Sequence, residues 1–122
     1  MANHQPKVSI ITINFNSTDV TAALLRSLEK ITYPSIEVIV VDNSTKDFGY
    51  QLPIDFPWIT YLEPGENLGF AGGNNKGLRI ATGEYYLLLN NDTEVDAGFL
   101  EPLIARFQTD ANIGVICPKI LY

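Results

Sequence analysis

Short apolar runs, too brief for helices, alternate here with stretches whose apolar residues recur every three or four positions, and this alternation most constrains the fold. Residues 8–13 (VSIITI) and 38–41 (VIVV) are β-branched and bounded by polar residues, as strands buried on both faces of a parallel sheet must be. Between them, Ser17, Thr18 and Asp19 offer helix N-caps, and Val20, Leu24, Leu25 and Leu28 follow at helical spacing until Tyr33 and Pro34 stop the helix. This is a βαβ unit. Residues 58–62 (WITYL) give a weaker third strand after a Pro-rich connection, residues 53–57, expected to be surface loop. The glycine cluster 69–73 leads into a helix expected over 74–81 and ended by Gly83, followed by a fourth strand over 85–89 (YYLLL). A helix over 97–108 and a fifth strand over 113–117 complete the pattern. The expected architecture is an α/β three-layer sandwich with a mostly parallel sheet: one domain over 7–122 behind a flexible leader, residues 1–6.

Composition narrows the chemistry. In 122 residues, 8 Lys plus Arg stand against 14 Asp plus Glu, a formal charge of −6, which argues against nucleic acid as a partner. An anionic ligand would have to be met by backbone amides, a metal or a few placed side chains. Cys117 is alone in an apolar stretch and reads as a buried, inert thiol, so neither a disulfide nor a thiolate zinc site can form within the chain. The single histidine, His4, lies in the leader, which removes Ser-His and Cys-His catalysis. Carboxylates, amides, hydroxyls and a few lysines remain. No apolar run approaches the ~20 residues of a membrane span and the leader has no signal-peptide core, so a cytoplasmic location is expected.

Ligands of open α/β sheets bind beyond the carboxyl ends of the strands. Those positions are uniformly polar: Asn14, Phe15 and Asn16 after the first strand, Asp42, Asn43 and Ser44 after the second, Asn90, Asn91, Asp92 and Thr93 after the fourth. Any one of these strand ends taken singly reads better as helix-cap and turn chemistry. Three brought to one edge by a strand order 3-2-1-4 would form a polar site able to hold a metal and a nucleotide. The run Gly69, Phe70, Ala71, Gly72, Gly73, Asn74, Asn75, Lys76, Gly77 fits neither a Walker loop, since Lys76 precedes Gly77 rather than Ser or Thr, nor the dinucleotide fingerprint. It reads as a flexible loop whose backbone approaches a ligand, or as a tight turn before a helix. A receiver-type phosphoacceptor regulatory domain is the alternative of another class, with Lys119 after the fifth strand in its favour and no acid at the mouth of the third strand before Glu63 against it.

Four blocks in order carry a resemblance: Val8 through Asn16 (VSIITINFN), Glu37 through Ser44 (EVIVVDNS), Glu66 through Asn75 (ENLGFAGGNN) and Leu88 through Asp92 (LLNND). They resemble the family 2 nucleotide-sugar glycosyltransferases over nearly the whole chain, with the third and fourth blocks most similar to rhamnosyltransferases. The resemblance implies a GT-A fold, of which this chain would be the donor-binding portion. The enzyme would be an inverting hexosyltransferase that takes a sugar, rhamnose being one candidate, from a UDP- or dTDP-sugar to a glycan or lipid-linked acceptor in cell-surface polysaccharide synthesis.

The residues fall as follows under that resemblance. Thr12, Ile13 and Asn14 would line the base, and Asp42 would accept the N3–H of uracil or thymine, an edge a carboxylate suits while repelling the bare N3 of cytosine. Asn67, Gly69, Asn74, Asn90 and Asn91 would also meet the nucleotide. Asp92 falls on the last Asp of the family's Asp-x-Asp motif and would hold Mg or Mn with Asn90, an amide where the motif often carries a carboxylate. Little affinity for the ion is expected without nucleotide. Lys76 and Arg79 read as a solvated helix face. The general base that deprotonates the acceptor belongs to a second half absent from this chain; Glu94, Asp96 and Glu101 do not match it, so no catalytic residue is assigned. The chain is expected to be inactive alone, to dimerise through the edge the second half would cover, and to derive from a parent associated with the cytoplasmic face of a membrane.

Overall fold

β-Branched residues populate the two central strands, where both faces of the sheet are covered. In the computed structural model, which describes residues 5–66 and 68–109, these are β1 (Val8–Asn14) and β2 (Ile36–Asp42), joined by α1 (Thr18–Leu28). There follow α2 (Leu52–Asp55), β3 (Thr60–Leu62), α3 (Gly69–Ile80), β4 (Tyr85–Leu88) and α4 (Leu100–Thr109). The sheet runs β3-β2-β1-β4 and every pairing is parallel. Register sets Asn14 beside Asp42 and Ile11 beside Leu88, so the polar ends of β1, β2 and β4 emerge at one edge.

Alternation along the strands divides the core in two. Val8, Ile10, Val38 and Val40 pack with Leu24, Leu25 and Leu28 of α1 and with Leu100 and Ile104 of α4. Ile11, Ile39 and Val41 face the other way, with Ile13 and with Leu78 of α3. The layers are helix, sheet, helix, the expected α/β sandwich with a parallel sheet.

Two expectations about connections are corrected. The segment read as surface loop, residues 53–57, overlaps α2, whose Leu52 and the following Phe56 are buried in the first core. Pro53 sits in its first turn, where a missing N–H costs nothing. The glycine cluster is not a loop but the first turns of α3, which starts at Gly69 rather than at Asn74. The reason is close approach to the sheet. A Cβ at Gly73 would lie 2.7 Å from Asn43 Nδ2 and from Ile13 Cδ1, and one at Gly77 would lie 2.6 Å from Ile11 Cγ2. Gly77→Ala therefore destabilises the fold by about 1–2 kcal/mol in chemical denaturation, because overpacking against a buried branched side chain exceeds the ~1 kcal/mol that alanine gains in helix propensity. The last helix starts at Leu100, three residues later than its periodicity suggested. Residues 1–4 of the leader, Asn67 and the segment expected to form a fifth strand, with Cys117 and Lys119, lie outside the described residues. No described helix is long and apolar enough to cross a membrane.

Candidate functional site

A pocket of about 420 Å³ opens at the carboxyl edge of the sheet, lined by residues that follow β1, β2 and β4 and by the start of α3. Ile13, Phe15 and Ser17 come from β1 and the turn after it, Asn43 from the end of β2, Gly69 and Phe70 from α3, and Leu89, Asn90, Asn91 and Asp92 from the turn after β4. Five of the residues expected at a site therefore meet here: Ile13, Gly69, Asn90, Asn91 and Asp92. Phe15 and Phe70, 48% and 61% exposed, present aromatic rings beside it.

Thr12, Asn14 and Asp42 are placed elsewhere. Alternation turns them to the α1 side of the sheet, where they are almost wholly buried and do not line the pocket. Asp42 sits in a closed set of donors. Its Oδ1 accepts from Asn14 Nδ2 at 3.2 Å and from the Ser44 N–H at 3.0 Å, and its Oδ2 accepts from the Gly49 N–H at 2.7 Å and from the Tyr61 hydroxyl. A base N–H would reach this carboxylate only by displacing one of those donors. Asn74 is buried within α3, away from the pocket lining, while Lys76 and Arg79 are exposed on the helix face, as expected. Asn67 lies outside the described residues.

Burial pushes the Asp42 carboxyl up, but the hydrogen bonds from Ser44, Tyr61 and Gly49 outweigh it and hold the group below the usual carboxylate range. Burial and the neighbouring Asp42 raise the Tyr61 phenol, which keeps it a donor. At the opposite edge, burial likewise opposes the bonds that Glu37 accepts from the Ser9 hydroxyl and from Thr82, with Lys7 3.8 Å away, and the balance again lies below the usual range. Carboxyls depressed in the folded state bind protons more readily when unfolded, so their contribution is complete above about pH 5 and is lost as pH falls through the unfolded and then the folded values. The denaturation midpoint is accordingly expected to stay level from pH 7 to about pH 5 and to fall below about pH 4.

The turn after β1 is held by its own polar residues. Asn16 takes a positive φ of 49°, and its Oδ1 accepts the backbone N–H groups of Thr45, Lys46 and Asp47 at 2.9–3.1 Å. The turn reading thus holds for Asn16, which stitches β1 to the loop after β2 without capping a helix. Ser17 occupies the N-cap position of α1 without a side-chain cap bond; its Oγ accepts instead from Asn91 Nδ2 at 2.8 Å.

Two buried acceptors have no partner among the described residues, Thr12 Oγ1 and Asn43 Oδ1. The second belongs to a pocket-lining residue, 2% exposed, whose Nδ2 donates to the Gly69 carbonyl at 2.9 Å. Asn43 and Phe15 were visible in the sequence only as members of polar strand ends; which of two consecutive residues faces a pocket depends on strand alternation. For a cation, the edge offers the Asp92 carboxylate beside the amide oxygen of Asn90, and no described cluster of three Asp, Glu, His or Cys could hold a metal by itself. One carboxylate among hard oxygen donors fits a divalent ion that takes the rest of its shell from phosphates and water.

The chain is 28% identical over 120 residues to the cholesterol galactosyltransferase of Borreliella burgdorferi, which aligns with 95% of this chain and 33% of its own length. Among solved structures it is similar to residues 1–349 of S. aureus TarS in complex with UDP, with a TM-score of 0.76, 28% identity and coverage of 84% of this chain and 32% of that one. It is equally similar to the mannosyltransferase PcManGT of Pyrobaculum calidifontis in complex with GDP-Man and Mn2+, with a TM-score of 0.76, 26% identity and coverage of 92% and 35%. The chain spans between about a tenth and two fifths of the length of the curated relatives it matches. These structures share the parallel α/β arrangement, so the fold is that of GT-A glycosyltransferases, present here in part. The model of Glycosyl transferase family 2 matches residues 9–122, and the chain belongs to that family.

Proposed function

We propose that the pocket at the carboxyl edge binds the nucleoside diphosphate of a UDP- or dTDP-sugar, and that the chain is the donor-binding portion of an inverting glycosyltransferase. The observation that carries this reading is the joining, in one pocket, of the buried unpartnered acceptor of Asn43 and the exposed ring of Phe15 with the carboxylate of Asp92. Those groups follow β2, β1 and β4, three adjacent strands spanning about 10 Å at the usual strand spacing. Base at the β2 end and diphosphate at the β4 end fit that span. Asn43 Nδ2 is committed to Gly69 and Oδ1 is buried in the pocket wall, so a base edge that reaches it must offer an N–H; uracil and thymine offer one at N3, whereas cytosine has a lone pair there and would have to shift to present its N4 amino group.

Asp92, with Asn90, would hold Mg or Mn. Such an ion, when bound, supplies Lewis-acid neutralisation of the departing diphosphate. Family membership and the UDP complex of the TarS relative support a nucleotide-sugar donor; the GDP-Man complex of PcManGT makes guanine the alternative base, since its N1–H is also a donor. Rhamnose as the sugar, a glycan or lipid-linked acceptor in cell-surface polysaccharide synthesis, and a cytoplasmic location with the parent at a membrane face complete the proposal. The cholesterol galactosyltransferase relative favours a lipid acceptor. Calorimetric titration of UDP, dTDP, GDP and CDP with Mn tests the base reading. UDP and dTDP are expected to bind at least tenfold more tightly than CDP, and equal affinity of all four would remove Asn43 as the reader.

A further inference from the structure

A continuous run of hydrogen bonds crosses beneath the pocket from one strand end to another. Asp42 Oδ1 accepts from Asn14 Nδ2 at 3.2 Å, Asn14 Oδ1 accepts from the Thr21 hydroxyl at 2.7 Å, and Thr21 Oγ1 accepts from Asn91 Nδ2 at 3.0 Å. Its direction is dictated by chemistry. An ionised carboxylate only accepts, so it turns the Asn14 amide nitrogen toward itself and the Asn14 oxygen toward Thr21. The single Thr21 proton is thereby drawn to Asn14, and the lone pairs left on Oγ1 face Asn91. The Asn91 amide nitrogen is held inward, shared with Ser17 Oγ at 2.8 Å, and its oxygen is turned away from the relay. Thr21 is wholly buried on α1 and does not line the pocket, whereas Asn91 does.

We propose that Thr21 is a positioning residue that fixes Asn91 with its amide nitrogen inward and its carbonyl oxygen toward the ligand, and so sets the turn that carries Asn90 and Asp92. The ligand group meeting Asn91 is then a hydrogen-bond donor, a ribose or sugar hydroxyl rather than a phosphate oxygen. Asn91 thus offers the donor sugar or ribose an acceptor whose orientation is determined by a carboxylate three residues away along the relay. This rests on the donor-site reading for its ligand, but the relay itself can be read without one.

The test compares Thr21→Val, which keeps the shape and removes the hydroxyl, with Thr21→Ser, which keeps the hydroxyl. In the ligand-free chain, the two Asn91 side-chain amide protons are expected to exchange at least tenfold more slowly than those of exposed Asn90, in wild type and in Thr21→Ser; in Thr21→Val the proton that faced Thr21 loses that protection while the one held by Ser17 Oγ keeps it. Equal exchange of Asn90 and Asn91 in the wild-type chain would overturn the relay whether or not the valine variant folds. For UDP binding in Mn, Thr21→Val is expected to lose about tenfold in affinity with Thr21→Ser within twofold of wild type, and Thr21→Val combined with Asn91→Ala should bind no worse than Asn91→Ala alone. Additive losses in the double variant would show that Thr21 does not act through Asn91. Failure of the wild-type chain to bind any nucleotide would count against the donor-site reading and leave the exchange comparison to decide the relay.

Discussion

Asp42→Ala is expected to lower the stability of this chain by about 3–5 kcal/mol, a large part of the 5–15 kcal/mol that holds a domain of this size folded. The carboxylate is 1% exposed and is the common acceptor of Asn14 Nδ2, the Ser44 and Gly49 N–H groups and the Tyr61 hydroxyl. Alanine leaves these donors buried and most of them without a partner, at about 1–3 kcal/mol for each group that water cannot reach. The bonds also tie β1, β2, β3 and the loop before α2 to one atom pair, so their loss is felt across the sheet edge. Asp42→Asn should fall between, because an amide nitrogen must then face at least one N–H donor. Urea denaturation at pH 7 measures the difference, and a loss below about 1 kcal/mol would show that Asp42 does not hold the strand ends together.

The second large effect is on ligand rather than fold. Asp92→Ala removes the one carboxylate that lines the pocket among the described residues, at an exposed position in the turn after β4, so the stability of the chain should change by less than about 0.5 kcal/mol. The metal-dependent part of UDP affinity should disappear. If Mn strengthens UDP binding tenfold or more in the wild-type chain, a chelator should abolish that gain in wild type and change nothing in Asp92→Ala. Neutral Asn90 contributes an oxygen but no charge, so Mn without nucleotide should bind either protein only weakly. Retention of the full Mn effect in Asp92→Ala would place the ion elsewhere.

What could be read from the sequence divides along a physical line. β1, β2 and α1 were legible because burial on both faces demands β-branched runs and a helix packed on a sheet demands an apolar stripe, both local in the chain. The polar strand ends were legible, but the strand order that gathers them at one edge entered only as a condition, which the structure meets. The helix over Gly69–Ile80 was misplaced because glycine disfavours helices in isolation, and its use at Gly73 and Gly77 becomes intelligible only when Ile13, Asn43 and Ile11 are found pressed against the helix. The same holds at the site. Asn14, Asp42 and Asn43 belong to equally polar strand ends, yet pleating sends the first two into a buried network and the third to the pocket. Thr21 gave no signal, because a threonine in the middle of an amphipathic helix is ordinary until its partners from β1 and the turn after β4 are seen.

The central claim, that the carboxyl edge of β2, β1 and β4 is a nucleotide-sugar donor site, is tested most directly by following backbone amide resonances of the isotope-labelled chain while UDP is added with Mg. Shifts should concentrate at Phe15, Ser17, Asn43, Asn90, Asn91 and Asp92, and those of Asn90 to Asp92 should shrink when Mg is withheld. Shifts gathered away from this edge, or none at millimolar UDP, would contradict the claim.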